Sequence, residues 1–141
     1  MPPASDPSKD FAEPASGKGG TNGASICVLD DDLSMLKALD RLLKGEGFRV
    51  EKFNNPTAFL SALKRNGCNV AILDVWMPEM SGLDVQLVLQ RDSPETRIIF
   101  ISGRDDPSVR EAALSAGAFG FLSKPFDDET LLELVNKAIA A

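Results

Sequence analysis

Four consecutive apolar residues, Val70-Ala71-Ile72-Leu73, run directly into one carboxylate, Asp74, and no other stretch limits the fold of this chain as strongly. A strand that is apolar at every position is buried on both faces, which is the situation of a parallel sheet with helices above and below it. Pro78 and Ser81-Gly82 follow closely, so the chain leaves the sheet there. A buried strand ends in an ionisable group where that group lies at the mouth of the sheet. Taken alone, Asp74 fits a loop cap better than a reactive group.

The rest of the chain supplies the partners for such a strand. Ile26-Cys27-Val28-Leu29 is a second apolar run and closes on Asp30-Asp31-Asp32. A helix follows, with Leu36, Leu39 and Leu43 on one face and Gly45 and Gly47 at its end. Phe48 to Phe53 alternates polar and apolar residues and reads as a strand near the sheet edge. Asn55-Pro56 supplies a cap and a first-turn proline for a helix to Arg65, with Gly67 beyond it. After the central run, the third strand, a helix is predicted from about Leu83 to Arg91. Arg97 to Ile101 is the fourth strand and ends in Ser102-Gly103. Asp106-Pro107 opens the next helix, which Gly117 stops. Ala118 to Leu122 reads as a short fifth strand broken by Lys124-Pro125, and Asp127 is expected to cap a last helix whose apolar face holds Leu131, Leu134, Val135 and Ala138.

Five strand-then-helix repeats with right-handed crossovers leave few arrangements. The simplest is an α/β doubly wound five-stranded parallel sheet of order 2-1-3-4-5. Residues 1-24, rich in Pro and Gly and poor in large apolar side chains, are expected to form a disordered leader, and residues 25-141 the folded domain.

Composition narrows the chemistry. The net charge of -6 disfavours nucleic acid or an anionic membrane as a direct partner. The chain has no histidine, which removes histidine triads, histidine metal sites and a phosphohistidine donor role. Cys27 and Cys68 lack metal-like spacing and read as reduced structural thiols, consistent with the cytoplasm. No run approaches the length of a membrane span, and the leader lacks the apolar core of a signal peptide.

In a sheet of this order ligands bind at the carboxyl ends of the strands, where the strand order reverses. Asp30 and Asp31, Asp74, Ser102 and Lys124 all project from that edge. Singly, the aspartates read as helix caps, Ser102 as a turn residue and Lys124 as a solvated charge. Together they read differently, because three carboxylates in one cleft repel one another unless a cation sits among them. Oxygen ligands without histidine or cysteine favour a hard ion, and a magnesium site is predicted. A hydroxyl and an ammonium group opposite it suit the oxygens of a phosphoryl group in transfer.

The runs ICVLDDD, AILDVWMPEMSGLD, IIFISG and GAFGFLSKPF, in this order and spacing, resemble the receiver domain of bacterial two-component response regulators, most nearly the nitrogen-fixation regulator type. The resemblance covers residue 26 to about residue 140 and implies a flavodoxin-like (βα)5 fold. It further implies that Asp74 accepts a phosphoryl group from a sensor histidine kinase. Asp31 would bind Mg2+ directly, Asp30 through water, and Asp74 and the Trp76 backbone carbonyl would complete the protein ligands. Ser102 would bond the phosphoryl oxygens and Lys124 would pair with them. Phe121 matches an aromatic position that moves inward with Ser102, and Trp76 and Arg104 match two flanking positions that gate water. Asp32 matches no role in the family and reads as the cap of the first helix. The chain departs from common family usage in having Ser rather than Thr at 102, and Phe rather than Tyr at 121, so that a switch there would rest on packing alone.

Two other readings compete. Asp30-Asp31-Asp32 also resembles the D-x-D opening of haloacid-dehalogenase-type phosphatases, but the stretch after Lys124 is too short for their further acidic motif, and Asp74 would have no role. A receiver-like interaction module that is not phosphorylated would not need all five site residues. The expected output is a switch of the surface formed by the fourth helix, fifth strand and fifth helix, acting on a downstream effector protein or forming a homodimer. No output domain is expected in the chain as it stands.

Overall fold

The computed structural model describes residues 23-141, so the expected leader lies outside the described residues except for its last two positions. The chain alternates β1 (Ser25–Leu29), α1 (Leu33–Gly45), β2 (Arg49–Phe53), α2 (Pro56–Asn66), β3 (Val70–Asp74), α3 (Gly82–Asp92), β4 (Arg97–Ser102), α4 (Pro107–Ser115), β5 (Gly120–Ser123) and α5 (Asp128–Ala140). All strand pairs are parallel and the order is β2-β1-β3-β4-β5, as the repeat pattern predicts.

The period-two alternation of the strands sorts the core into two layers. Val28, Ile72, Ile99 and Ile101 meet Leu36, Leu39 and Leu43 of α1 and Leu131, Val135 and Ala138 of α5. Cys27, Leu29, Ala71, Leu73 and Phe100 meet Phe59 and Leu63 of α2, Val85 and Leu89 of α3, and Ala113 of α4. Every residue of β3 is buried, which is why that strand carries no polar position before its last. Cys27 and Cys68 are both free; a hydrogen bond to Cys68 and then burial push the Cys27 thiol up, toward its protonated form.

Local chemistry sets the element ends. The Asp32 side chain accepts from the Ser34 and Met35 amides and caps α1, and Asn55 and Asp106 cap α2 and α4 in front of Pro56 and Pro107. At the end of α1 the Gly47 amide donates to the Lys44 carbonyl and the Phe48 amide to the Leu43 carbonyl, with Gly47 at φ 95°. This is a Schellman closure, and it needs Gly47 rather than Gly45, which lies inside the helix. The same closure ends α4 at Gly117 and uses the Ala118 amide to reach the Ala113 carbonyl. The fifth strand therefore cannot start at Ala118 as the sequence suggested, and begins at Gly120. Asp127 occupies the cap position of α5 but its side chain makes no capping bond, so that expected role is corrected; Asp128 and Glu129 instead place negative charge at the helix start. Two glutamines of α3 hold the far end of α4: Gln86 Nε2 donates to the Ala113 carbonyl at 2.9 Å, and Gln90 Nε2 donates to that of Ala116.

Candidate phosphoryl and metal site

The turn after β3 fixes the position of Asp74. Ser81 caps α3 in a reciprocal capping box with Asp84, and the Gly82 amide donates to the Val75 carbonyl at 2.8 Å. A Cβ on Gly82 would stand 2.5 Å from the Asp74 carbonyl oxygen and 2.9 Å from the Phe100 ring. The helix thus starts against the backbone of β3, at a distance only glycine allows. The sequence marked Gly82 as a turn residue; its close packing leaves no local signal.

Asp30, at the end of β1, is fully buried and Asp74 nearly so, whereas Asp31 is exposed. Each of the three offers an oxygen, and these oxygens lie within 4.8 Å of one another. Lys124 reaches between them from the end of β5, with Nζ 2.9 Å from Asp30 Oδ2 and 3.7 Å from Asp74 Oδ1. Asp30 Oδ1 accepts from the Asp32 amide at 2.9 Å. Burial, and then the charge of Asp30, push the Asp74 carboxyl up to about 7, against the pull of Lys124; Asp31 adds to the rise. Burial opposes the charge of Lys124, but its bond to Asp30 and the field of Asp74 outweigh that and raise it. One ammonium group therefore leaves the carboxylates under-neutralised. An all-oxygen donor set short of positive charge fits Mg2+.

On the β4 side the strand ends in an uncharged hydroxyl. Ser102, 1% exposed, ends β4 one residue past Ile101, the neighbour of Asp74. Its Oγ donates to the Arg104 carbonyl at 2.8 Å and accepts from Trp76 Nε1 at 3.1 Å and from the Arg104 amide at 3.2 Å. The Arg104 guanidinium lies 4.2 Å from the centroid of the Trp76 ring. Phe121 is buried beside Phe100, with ring centroids 6.1 Å apart, and Arg110 covers its outer face at 4.9 Å while reaching the Ser123 hydroxyl. The aromatic ring is thus already inward in this structure.

The strand ends bring Asp30, Asp31, Asp74, Ser102 and Lys124 to one edge, as the sequence reading requires. Asp32 is turned into α1 by its capping bonds, which takes from the D-x-D reading its second carboxylate. The Trp76–Ser102 hydrogen bond was not legible beforehand, although an indole N–H on a packed loop requires some acceptor.

Comparison with known proteins agrees with this fold. A family model described as "Response regulator receiver domain" matches residues 26–136. Response regulator protein TodT of Pseudomonas putida is 45% identical over 114 residues, which cover 81% of this chain and 50% of TodT. Transcriptional regulatory protein FixJ of Bradyrhizobium diazoefficiens is 33% identical over 119 residues, covering 84% and 58%. The crystal structure of a response regulator receiver domain protein from Clostridium thermocellum matches with a TM-score of 0.79 at 30% identity, covering 83% of this chain and 94% of that one. This chain spans about half the length of the curated relatives it matches.

Proposed function

Because the chain belongs to the response regulator receiver domain family, we propose that Asp74 is its phosphoacceptor and a sensor histidine kinase its donor. Receiver domains are signalling modules of two-component systems rather than enzymes that turn over a separate substrate, and the reaction proposed here is on the chain itself. The observation that carries the reading is the meeting of three strand-end carboxylates within 4.8 Å, with Lys124 between Asp30 and Asp74.

An oxygen of ionised Asp74 attacks phosphorus in line as the phosphorus–nitrogen bond to the kinase imidazole breaks. The imidazole leaves with that electron pair and takes up a proton, and an acyl phosphate remains on Asp74. Asp30, Asp31, Asp74 and the Trp76 backbone carbonyl would hold Mg2+, which when bound supplies neutralising charge to the carboxylate and the transferring phosphoryl oxygens. Lys124 pairs with those oxygens from the β5 side. The Ser102 hydroxyl donates to one of them from β4, while Trp76 and Arg104 narrow the approach of water.

The new group adds roughly one to two negative charges at the sheet edge. Ser102 and Lys124 respond, Phe121 packs beneath them, and the surface of α4, β5 and α5 is biased between two arrangements. We assign that surface to a downstream effector protein or a second copy of the chain, with no direct contact to nucleic acid or membrane. Among the described residues no helix is long and apolar enough to cross a membrane; the cytoplasm is proposed as the compartment in which the kinase donor is met.

Incubation with acetyl phosphate and Mg2+ is expected to add one phosphoryl group, read by intact mass, and Asp74→Ala is expected to add none. Equal labelling of the Asp74→Ala protein would overturn the assignment.

A further inference from the structure

The Ser102 hydroxyl has one proton to donate and two lone pairs to accept with, and all three are occupied. Its proton goes to the Arg104 carbonyl, and its lone pairs receive the Trp76 indole N–H and the Arg104 amide. None of these bonds involves Asp74. A hydroxyl in this state cannot donate to an oxygen carried on Asp74 until it gives up Arg104, and turning it withdraws the acceptor from Trp76. The indole is itself held, because the Arg104 guanidinium covers its ring at 4.2 Å. The loop after β3 and the loop after β4 are thereby tied across the mouth of the site by one aromatic ring.

We propose that Trp76 is a positioning residue whose indole N–H latches the Ser102 hydroxyl away from Asp74, so that a phosphoryl group on Asp74 must displace it before Ser102 can engage. This rests on the reading of Asp74 as acceptor. It differs from a gate against water, because it acts through a hydrogen bond to the switch hydroxyl, and before any acyl phosphate exists. The latch favours the unphosphorylated arrangement by one neutral hydrogen bond, a factor of about three to ten in the equilibrium between the two hydroxyl positions.

Trp76 is the one tryptophan of the chain, so indole signals report this contact directly. The test is a titration of the wild type, Trp76→Phe, Ser102→Ala and the double variant with beryllofluoride in the presence of Mg2+. Wild type is followed also by the indole Nε1–H resonance and its solvent exchange. Trp76→Phe keeps an aromatic ring beside Arg104 and removes the donor together with part of the ring area, a loss that the Ser102→Ala background carries equally. The expected result is about threefold to tenfold tighter beryllofluoride binding by Trp76→Phe than by wild type. In the Ser102→Ala background the same substitution changes binding by less than about twofold, because the bond it removes is already absent. In wild type the indole resonance shifts and its exchange speeds up on saturation. Arg104→Ala, which loosens the ring and leaves the Arg104 carbonyl in place, is expected to give an intermediate gain and serves if Trp76→Phe folds poorly. Unchanged or weaker binding by Trp76→Phe, an equal effect without the Ser102 hydroxyl, or an unmoved indole would overturn the latch while leaving Asp74 as acceptor. Absence of beryllofluoride binding by every variant, wild type included, would overturn both readings.

Discussion

The two halves of the strand-end site are built on opposite principles. On the side of β1 and β3, Asp30, Asp31 and Asp74 crowd one ammonium group, and Asp74 is pushed up to about 7 first by burial and then by the charge of Asp30, which Lys124 does not fully offset. On the side of β4, the Ser102 hydroxyl is neutral, buried and bonded at every position it offers. One half is strained electrostatically and gains by receiving a cation. The other is at rest and must lose bonds before it can act. On the proposed function, the contrast gives phosphorylation an opposed term: the half that would favour phosphoryl transfer works against a satisfied hydroxyl in the other.

The comparison is broken most readily at Lys124. Replacing it with Met leaves Asp30 buried without its cation, and the loss of stability is expected to be about 2–4 kcal/mol by urea unfolding at pH 7.5. A loss below that of Trp76→Phe would mean that the charged half is not the strained one. Next in size is Asp74→Asn. The folded carboxyl is raised above its unfolded value, so the folded state binds the proton more tightly. That stabilisation is complete below pH 4 and is lost as the pH rises through about 7. Asp74→Asn should therefore be more stable than wild type by about 1–2 kcal/mol at pH 8 and no different at pH 4. A gain independent of pH would assign the effect to packing instead.

In the proposed site the same carboxyl would govern metal affinity, since the ion would compete with its proton. The Mg2+ dissociation constant, followed by Trp76 emission, is expected to weaken about tenfold between pH 8 and pH 6. A flat profile would remove Asp74 from the ligand set. The smallest effect belongs to the neutral half: Trp76→Phe should cost about 0.5–1.5 kcal/mol of stability without phosphoryl mimic, the worth of one neutral hydrogen bond.

The sequence carried the fold because burial on both faces forces unbroken apolar runs. Val70 to Leu73, Ile26 to Leu29 and Ile98 to Ile101 name three strands and, by where they stop, name Asp74, Asp30 and Ser102. Caps were equally readable at Asp32, Asn55 and Asp106, whose side chains bond amides only two or three residues away. What escaped depends on groups distant along the chain. The Trp76–Ser102 bond joins the loop after β3 to the end of β4, and the need for Gly82 comes from Phe100 and the Asp74 carbonyl. Neither has a local pattern. The late start of β5 is a middle case, because the closure at Gly117 was visible while its use of the Ala118 amide was not.

The two glutamines on α3 give this asymmetry a mechanical reading. They fasten α4 at Ala113 and Ala116, the end away from the site, whereas its first residue, Pro107, follows closely on the Ser102–Arg104 loop. A helix of nine residues is about 13 Å long, so with its far end held, a displacement of about 1 Å at the near end tilts it by about 4°. In the proposed switch α4 would be a lever with its fulcrum beside α3, and the rearrangement of a single hydroxyl would leave the sheet as rotation of an outer helix rather than as a slide of the whole layer.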